Sequence, residues 1–295
     1  MKRMFVLSMV IMAVLMLFAG SGVVQAQAPD DGTRPMYAIT YGKGLILTSL
    51  DSENWTVRAS GTLMPLADIE FGNGIFVAVG ARGTIVTGSK DGATWTLRQS
   101  GVTSDLWAIK RAKGIFVAVG SAGTVITSPD GYTWTKRANI SPYALRNLAY
   151  GKDNFVAIGE MGYIFSSKDG INWVRRGDEQ YTDHLFGITY AKEMFTAVGA
   201  NGRVMTSDDG IKWTRRYAGT PEYLSGISYG NQTYVVVGAY GTIITSPDAW
   251  SWTTVSSGTH SWLGAIVYTR SKFVAVGTDG TILTSTDGKF WAPKF

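Results

Sequence analysis

Ser128-Pro129-Asp130-Gly131-Tyr132-Thr133-Trp134 is the stretch that decides how this chain folds, because it recurs. Ser89-Lys90-Asp91-Gly92 leads to Trp95, Ser167-Lys168-Asp169-Gly170 to Trp173, Ser207-Asp208-Asp209-Gly210 to Trp213, and Ser285-Thr286-Asp287-Gly288 to Trp291. Two further copies replace the glycine: Asp51-Ser52 before Trp55, and Asp248-Ala249 before Trp252. The seven tryptophans stand 40, 39, 39, 40, 39 and 39 residues apart. A fixed period of this length marks a repeat architecture, and it governs every other reading of the sequence.

Working outward from one copy, four strand signals follow in order. Leu106-Trp107-Ala108-Ile109 is an apolar start, Phe116-Val117-Ala118-Val119-Gly120 is β-branched and core-like, Gly123-Thr124-Val125-Ile126-Thr127-Ser128 follows a Gly-x-x-Gly turn, and Trp134-Thr135-Lys136-Arg137 follows the Asp-Gly turn. Short strands joined by Gly and Asp-Gly hairpins form antiparallel meanders. Repeated radially, they predict an all-β fold, a seven-bladed β-propeller of four-stranded antiparallel blades over residues 36–295. In each turn the Asp is suited to accept backbone N–H groups, the Gly to supply positive φ, and the Trp to cover the hairpin. Asp51, Asp91, Asp130, Asp169, Asp209, Asp248 and Asp287 are therefore structural, since seven carboxylates spread around a propeller cannot converge on one substrate.

The first repeat is short. Met36 to Gly44 matches Leu66 to Gly74 position for position, yet Met36 lies 19 residues before Trp55 where Leu66 lies 29 before Trp95. One strand is missing. Removing a strand from a meander reverses all those after it, so Tyr37–Tyr41 is expected in the second place. The innermost place is then empty, or filled by the linker before Pro35.

Residues 1–26 read as a secretory signal peptide: Lys2 and Arg3, an apolar run from Met4 to about Ala19, then Val24-Gln25-Ala26 or Ala26-Gln27-Ala28 as a small-x-small cleavage site. Residues 27–35 form a polar linker. The expectation is an exported protein, periplasmic, lumenal or extracellular, with no stable membrane span once the leader is removed. The formal charge is only +5, of which Lys2 and Arg3 supply two, too little to argue for nucleic acid. Cys is absent, which excludes disulfides, thiolate metal sites and a cysteine nucleophile.

Positions that break the repeat carry the candidate function. A basic residue stands three places after each Trp (Arg58, Arg98, Arg137, Arg176, Arg216 and Lys294, with Val255 the exception), and Arg175 and Arg215 double it. This strand is outermost, where charges block edge-to-edge pairing. The same rim, and above all Arg175/Arg176 and Arg215/Arg216, also suits docking of an acidic protein segment. The loops between blades diverge: Gly177 to His184 with Asp183, Ser141-Pro142-Tyr143, Pro221-Glu222-Tyr223 and His260-Ser261-Trp262. They share one face with Arg82, Glu160, Tyr240 and Asp279. Aromatic rings beside carboxylates suit sugars or peptides. An Asp183/Glu222 carboxylate pair is conceivable for glycoside hydrolysis. His184 and Asp183 lack a Ser partner, and two His residues cannot make a three-His zinc site. No metal or cofactor is called for, and no catalytic residue is assigned.

These turns, with Phe-Val-Ala-Val-Gly and Gly-Thr-Ile-x-Thr-Ser before them, resemble the Asp-box (bacterial neuraminidase repeat) propellers. More narrowly, residues 36–295 look like the photosystem II stability/assembly factor type of propeller. The usual Asp-box has one more residue between Asp and Gly. The resemblance implies an exported, non-catalytic platform for protein binding or complex assembly; the export signal and the basic rim point to an acidic segment of a membrane or envelope complex as its partner. A carbohydrate-binding or glycoside-hydrolase propeller and a structural envelope protein are the alternatives. A sialidase is disfavoured, because Arg34-Pro35 is only a fragment of that family's motif and no Tyr/Glu nucleophile pair is evident.

Overall fold

Each Asp-Gly…Trp unit closes one four-stranded antiparallel sheet, and the chain builds seven such sheets in sequence order, numbered here as blades 1 to 7. The computed structural model describes residues 24–27, 37–41, 44–50, 54–177, 182–269 and 271–293. The part of the expected leader before residue 24, most of the expected linker, Asp51, the middle of the 177–184 loop and Lys294 lie outside the described residues.

Blade 3 shows the pattern, with Leu106–Ala112, Ile115–Gly120, Val125–Ser128 and Thr135–Lys136 as its inner, second, third and outer strands. Inner and second strands are joined by two-residue turns such as Asn73-Gly74, Lys152-Asp153 and Asn231-Gln232. Both residues of each have positive φ, the turn geometry whose twist matches the strands it joins. The second strands are β-branched and apolar on both faces. Ile75–Gly80 and Asn154–Gly159 are buried throughout. Each therefore packs against two sheets: Ile75, Val77 and Val79 of blade 2 meet Leu106, Phe116 and Ala118 of blade 3, and the same arrangement recurs around the ring.

Blade 1 comprises β1 (Val24–Gln27), β2 (Tyr37–Tyr41), β3 (Leu45–Ser49) and β4 (Thr56–Ala59), in that order across the sheet. The repeat itself supplies three strands, one fewer than every other period, and Tyr37–Tyr41 takes the second place, both as the spacing predicts. The inner place is occupied by a segment from further upstream than most of the linker. Val24–Gln27 pairs antiparallel with β2, from Val24 opposite Thr40 to Gln27 opposite Tyr37. It stands beside the inner strands Leu66–Gly72 of blade 2 and Leu263–Tyr268 of blade 7, closing the ring.

The Asp-Gly turns are wired as their sequence implies. In blades 3 to 7 the Asp Oδ1 accepts two backbone N–H groups at 2.7–3.0 Å, as Asp130 does from Tyr132 and Thr133. The preceding Ser Oγ accepts the N–H of the Gly position at 2.7–2.9 Å. The Trp indole N–H donates back to that residue's carbonyl, 3.1 Å in the case of Trp134 and Gly131. Ala249 adopts φ 64° where five other blades have glycine, fully buried. The position thus tolerates a methyl group where the neighbouring blade gives it room. These backbone donors are the main cause that holds Asp130, Asp248 and Asp287 below the usual carboxylate range.

The basic rim is also part of the wiring. Arg58, Arg98, Arg137, Arg176 and Arg216 each donate Nε–H to a hydroxyl on the third strand of the same blade, at 2.8–2.9 Å from Thr48, Thr87, Thr127, Ser166 and Thr206. Arg98 also lies over Tyr132 and Arg216 over Trp250, aromatic tips of the next blade's turn, at 4.8 and 4.3 Å from the ring centres. Near the axis, Asp68 of blade 2 accepts the N–H of Ile109 in blade 3 at 2.8 Å, and Asn147 of blade 4 donates to the Phe186 carbonyl of blade 5 at 3.2 Å. Burial raises the Asp68 carboxyl to about 7 despite the opposing charge of Lys110, which pairs with Glu70 at 2.8 Å.

Two measurements check this wiring. Asp130→Ala removes the acceptor of two N–H groups and is expected to cost about 1 kcal/mol, or about 3 °C in thermal midpoint. A triple Asp130→Asn, Asp248→Asn, Asp287→Asn protein keeps the acceptors but loses the depressed carboxyls, so its stability should fall less steeply below pH 4 than that of the parent. Asp68 works in the opposite sense. It holds its proton when folded and releases it when unfolded, so it makes stability decline as pH rises from about 4 to about 7. In Asp68→Asn that decline should be shallower in denaturant titrations across the same window.

Candidate binding face

Two features of blades 2 to 7 reach the same mouth of the central channel: the loop entering the inner strand, and the turn between second and third strands. In blade 6, for example, the Ala239 N–H of that turn donates to the Tyr223 carbonyl of the entering loop at 2.8 Å. The entering loops bring three of the expected residues into one chain of contacts. His184 stacks on Phe186 with ring centres 6.2 Å apart, Phe186 stacks on Tyr223 at 6.2 Å, and Tyr223 meets Trp262 at 6.1 Å. The chain continues the other way. The Met161 N–H reaches His184 Nδ1 at 3.4 Å, and the adjacent Glu160 carboxylate pairs with Arg146. Arg146 lies 4.7 Å over the Trp107 ring, whose indole N–H donates to Ser121 at 3.0 Å. One arc therefore runs from Trp107 in blade 3 to Trp262 in blade 7. Tyr223 and Trp262 remain 43% and 44% exposed, so rings at one end of it are open to a partner.

Beneath the arc the channel holds a cavity of about 480 Å³. Its walls differ in character: Asp68, Lys110, Arg146 and Asn147 line the side of blades 2 to 4, and Gly187, Gly226 and Gly264 the side of blades 5 to 7. A Cβ at Gly187 or Gly226 would stand 3.2–3.4 Å from the backbone of the next blade's inner strand, so glycine there lets the inner strands approach closely, whereas Gly264 faces open space.

The other expected residues fall in different places. Tyr143 packs edge-on against Tyr163, centres 5.4 Å apart, and the Arg175 guanidinium lies 4.1 Å over the Tyr163 ring, linking the rim to this face. His260 is exposed two residues before Trp262. Asp183 is taken up by the buried Arg203 and by Asn201 Nδ2 at 2.7 Å. Glu222 sits on a backbone that accepts from Gly202 at 2.8 Å. The two carboxylates thus serve different ends, Asp183 neutralising a guanidinium at the start of the third strand where blades 2 and 4 have Thr84 and Tyr163. Arg98, Arg137, Arg176 and Arg216 are half-buried on their hydroxyls, whereas Arg215 is exposed. Among the described residues no group of three or more His, Asp or Glu is placed to hold a metal ion.

Phe186, Trp107 and Arg146 were not singled out by the sequence reading. They share the second position of the inner strand, where the series Ala67, Trp107, Arg146, Phe186, Ser225, Gly264 varies more than its neighbours. That variation was the available signal.

Comparison with known proteins agrees with this architecture. Residues 108–224 match the DUF6242 beta propeller domain. No curated protein sequence matches the chain. Among solved structures it is similar to YCF48 bound to D1 peptide, with 19% identity and a TM-score of 0.64 over 78% of this chain and 80% of that one. It is similar to YCF48 from Cyanidioschyzon merolae, with 18% identity and a TM-score of 0.63 over 78% and 85%. Virginiamycin B lyase from Staphylococcus aureus aligns at 11% identity with a TM-score of 0.77 over 90% and 94%. At these identities the likeness is one of fold, a fold that carries both a peptide-bound protein and a lyase.

Proposed function

We propose that this chain is an exported, non-catalytic propeller that binds a protein partner on the channel-mouth face, as a platform in the assembly of a membrane or envelope complex. The observation that carries the reading is the unbroken arc from Trp107 through Arg146, Glu160, His184, Phe186 and Tyr223 to Trp262. Aromatic and Arg side chains are the residue types that anchor protein interfaces. Here they are pre-positioned by stacking, so little side-chain freedom is lost on binding. An extended segment laid along the arc would meet rings at blade 3 and blades 5 to 7 and charge at blade 4. The similarity in fold to YCF48 bound to D1 peptide supports a peptide-holding role.

The engagement of Arg98, Arg137, Arg176 and Arg216 in their own blades moves the proposed surface from the rim to this face. A glycan reading is favoured by one observation, the neighbouring exposed rings of Tyr223 and Trp262, since flat rings also stack on sugars.

The test is affinity capture of partners from an envelope extract, followed by binding of peptides tiled from the captured protein. Phe186→Ala and Trp262→Ala are each expected to weaken binding about tenfold or more, and Arg215→Glu to change it less than about threefold. Capture that survives both arc substitutions but is lost with Arg215→Glu would return the site to the rim. Binding on a glycan array that Trp262→Ala abolishes, with no peptide bound, would establish the sugar reading instead.

A further inference from the structure

Blade 1 draws its inner strand from outside its own repeat, and the source is the stretch that carries the expected cleavage sites. We propose that Val24–Gln27 is a permanent strand of the folded propeller, and that leader processing lies upstream of Val24 rather than after Ala26 or Ala28. The processing half of this rests on the export reading above; the strand half does not.

Three observations carry it. Residues 36–55 are too short to form an inner strand as well as β2 and β3, so the place must be filled from elsewhere. In every other blade the second strand is hydrogen-bonded on both sides. Without β1, the backbone N–H and C=O groups on the inner side of Tyr37–Tyr41 would form an open edge facing the channel. Tyr37, Ala38 and Thr40 have no exposed surface with β1 in place, and β1 is also what stands between the inner strands of blades 2 and 7. Cleavage after Ala26 would leave one residue of this strand, and cleavage after Ala28 none. The connection from Gln27 to Tyr37 is nine residues long, where blades 2 to 6 use two and blade 7 uses four, but lengthening a closed loop costs little.

The experiment uses the full chain produced in a Gram-negative host. The protein recovered outside the cytoplasm is subjected to N-terminal mass analysis and thermal unfolding. The expected N-terminus lies at or before Val24; one at Gln27 or Pro29 overturns the processing proposal. Gln25→Pro and Ala26→Pro test the strand directly. Successive N–H groups of an inner strand point alternately at its neighbour and away from it, so one of the two prolines removes a bond to β2. That variant should lose roughly 5 °C in thermal midpoint and the other clearly less. Two variants both within about 1 °C of the parent would overturn the strand. An uncut chain retained in the cytoplasm would overturn the export reading, and processing with it, while the proline pair still decides the strand.

Discussion

A sheet that is apolar on both faces cannot stand alone, and the second strands of this chain are of that kind. Ile75–Gly80 and Asn154–Gly159 are wholly buried, which is possible only when another sheet covers each face. Blade-to-blade packing is therefore the interaction on which everything else depends. It requires the ring to close, so no blade can be left partly built. It also explains why the connections between neighbouring blades are so regular, from the carboxylate of Asp68 on the Ile109 N–H to the stacking of Arg98 over Tyr132.

The repeated residues maintain this arrangement at two radii. At the outside, the Asp-Gly turn fixes its own backbone through one carboxylate and one hydroxyl, the Trp bonds back to the turn, and the Arg ties the outer strand to the third. Near the axis, the inner strands line a channel, and their second positions have little packing to do. Variation is tolerated there, and that is where Trp107, Arg146 and Phe186 sit. The division between scaffold and binding face follows from which positions blade packing constrains and which it leaves open. A fold of this kind serves unrelated functions because its open positions can be changed without disturbing the closed ones.

The seven blades and the structural role of their turns were legible because both rest on one local pattern, Ser-x-Asp and the Trp after it, that recurs seven times. The displacement of Tyr37–Tyr41 into the second place was legible from a count of residues. What fills the inner place was not, since backbone pairing selects Val24–Gln27 and its composition there reads as the end of a leader. The basic rim was visible as a pattern, but its hydrogen bonds run to Thr87, Thr127 and their equivalents on the preceding strand, ten or eleven residues away in sequence. Sequence spacing alone does not show that a guanidinium points inward. The binding face was half legible: His184, Tyr223 and Trp262 stand out in divergent loops, whereas Phe186, which joins them, looks like an ordinary strand residue. Asp183 and Glu222 looked equivalent until Arg203 took one of them.

The central claim is that partners dock at the channel mouth. Hydrogen exchange of the propeller with and without its captured partner tests it most directly, because protection reports which backbone is covered. The account predicts slowed exchange in the entering loops and the first residues of the inner strands, around 143–147, 184–188, 222–226 and 260–265, with the outer strands unchanged. Protection concentrated on the outer strands at 174–176 and 214–217, with the channel mouth exchanging as in the free protein, would contradict it.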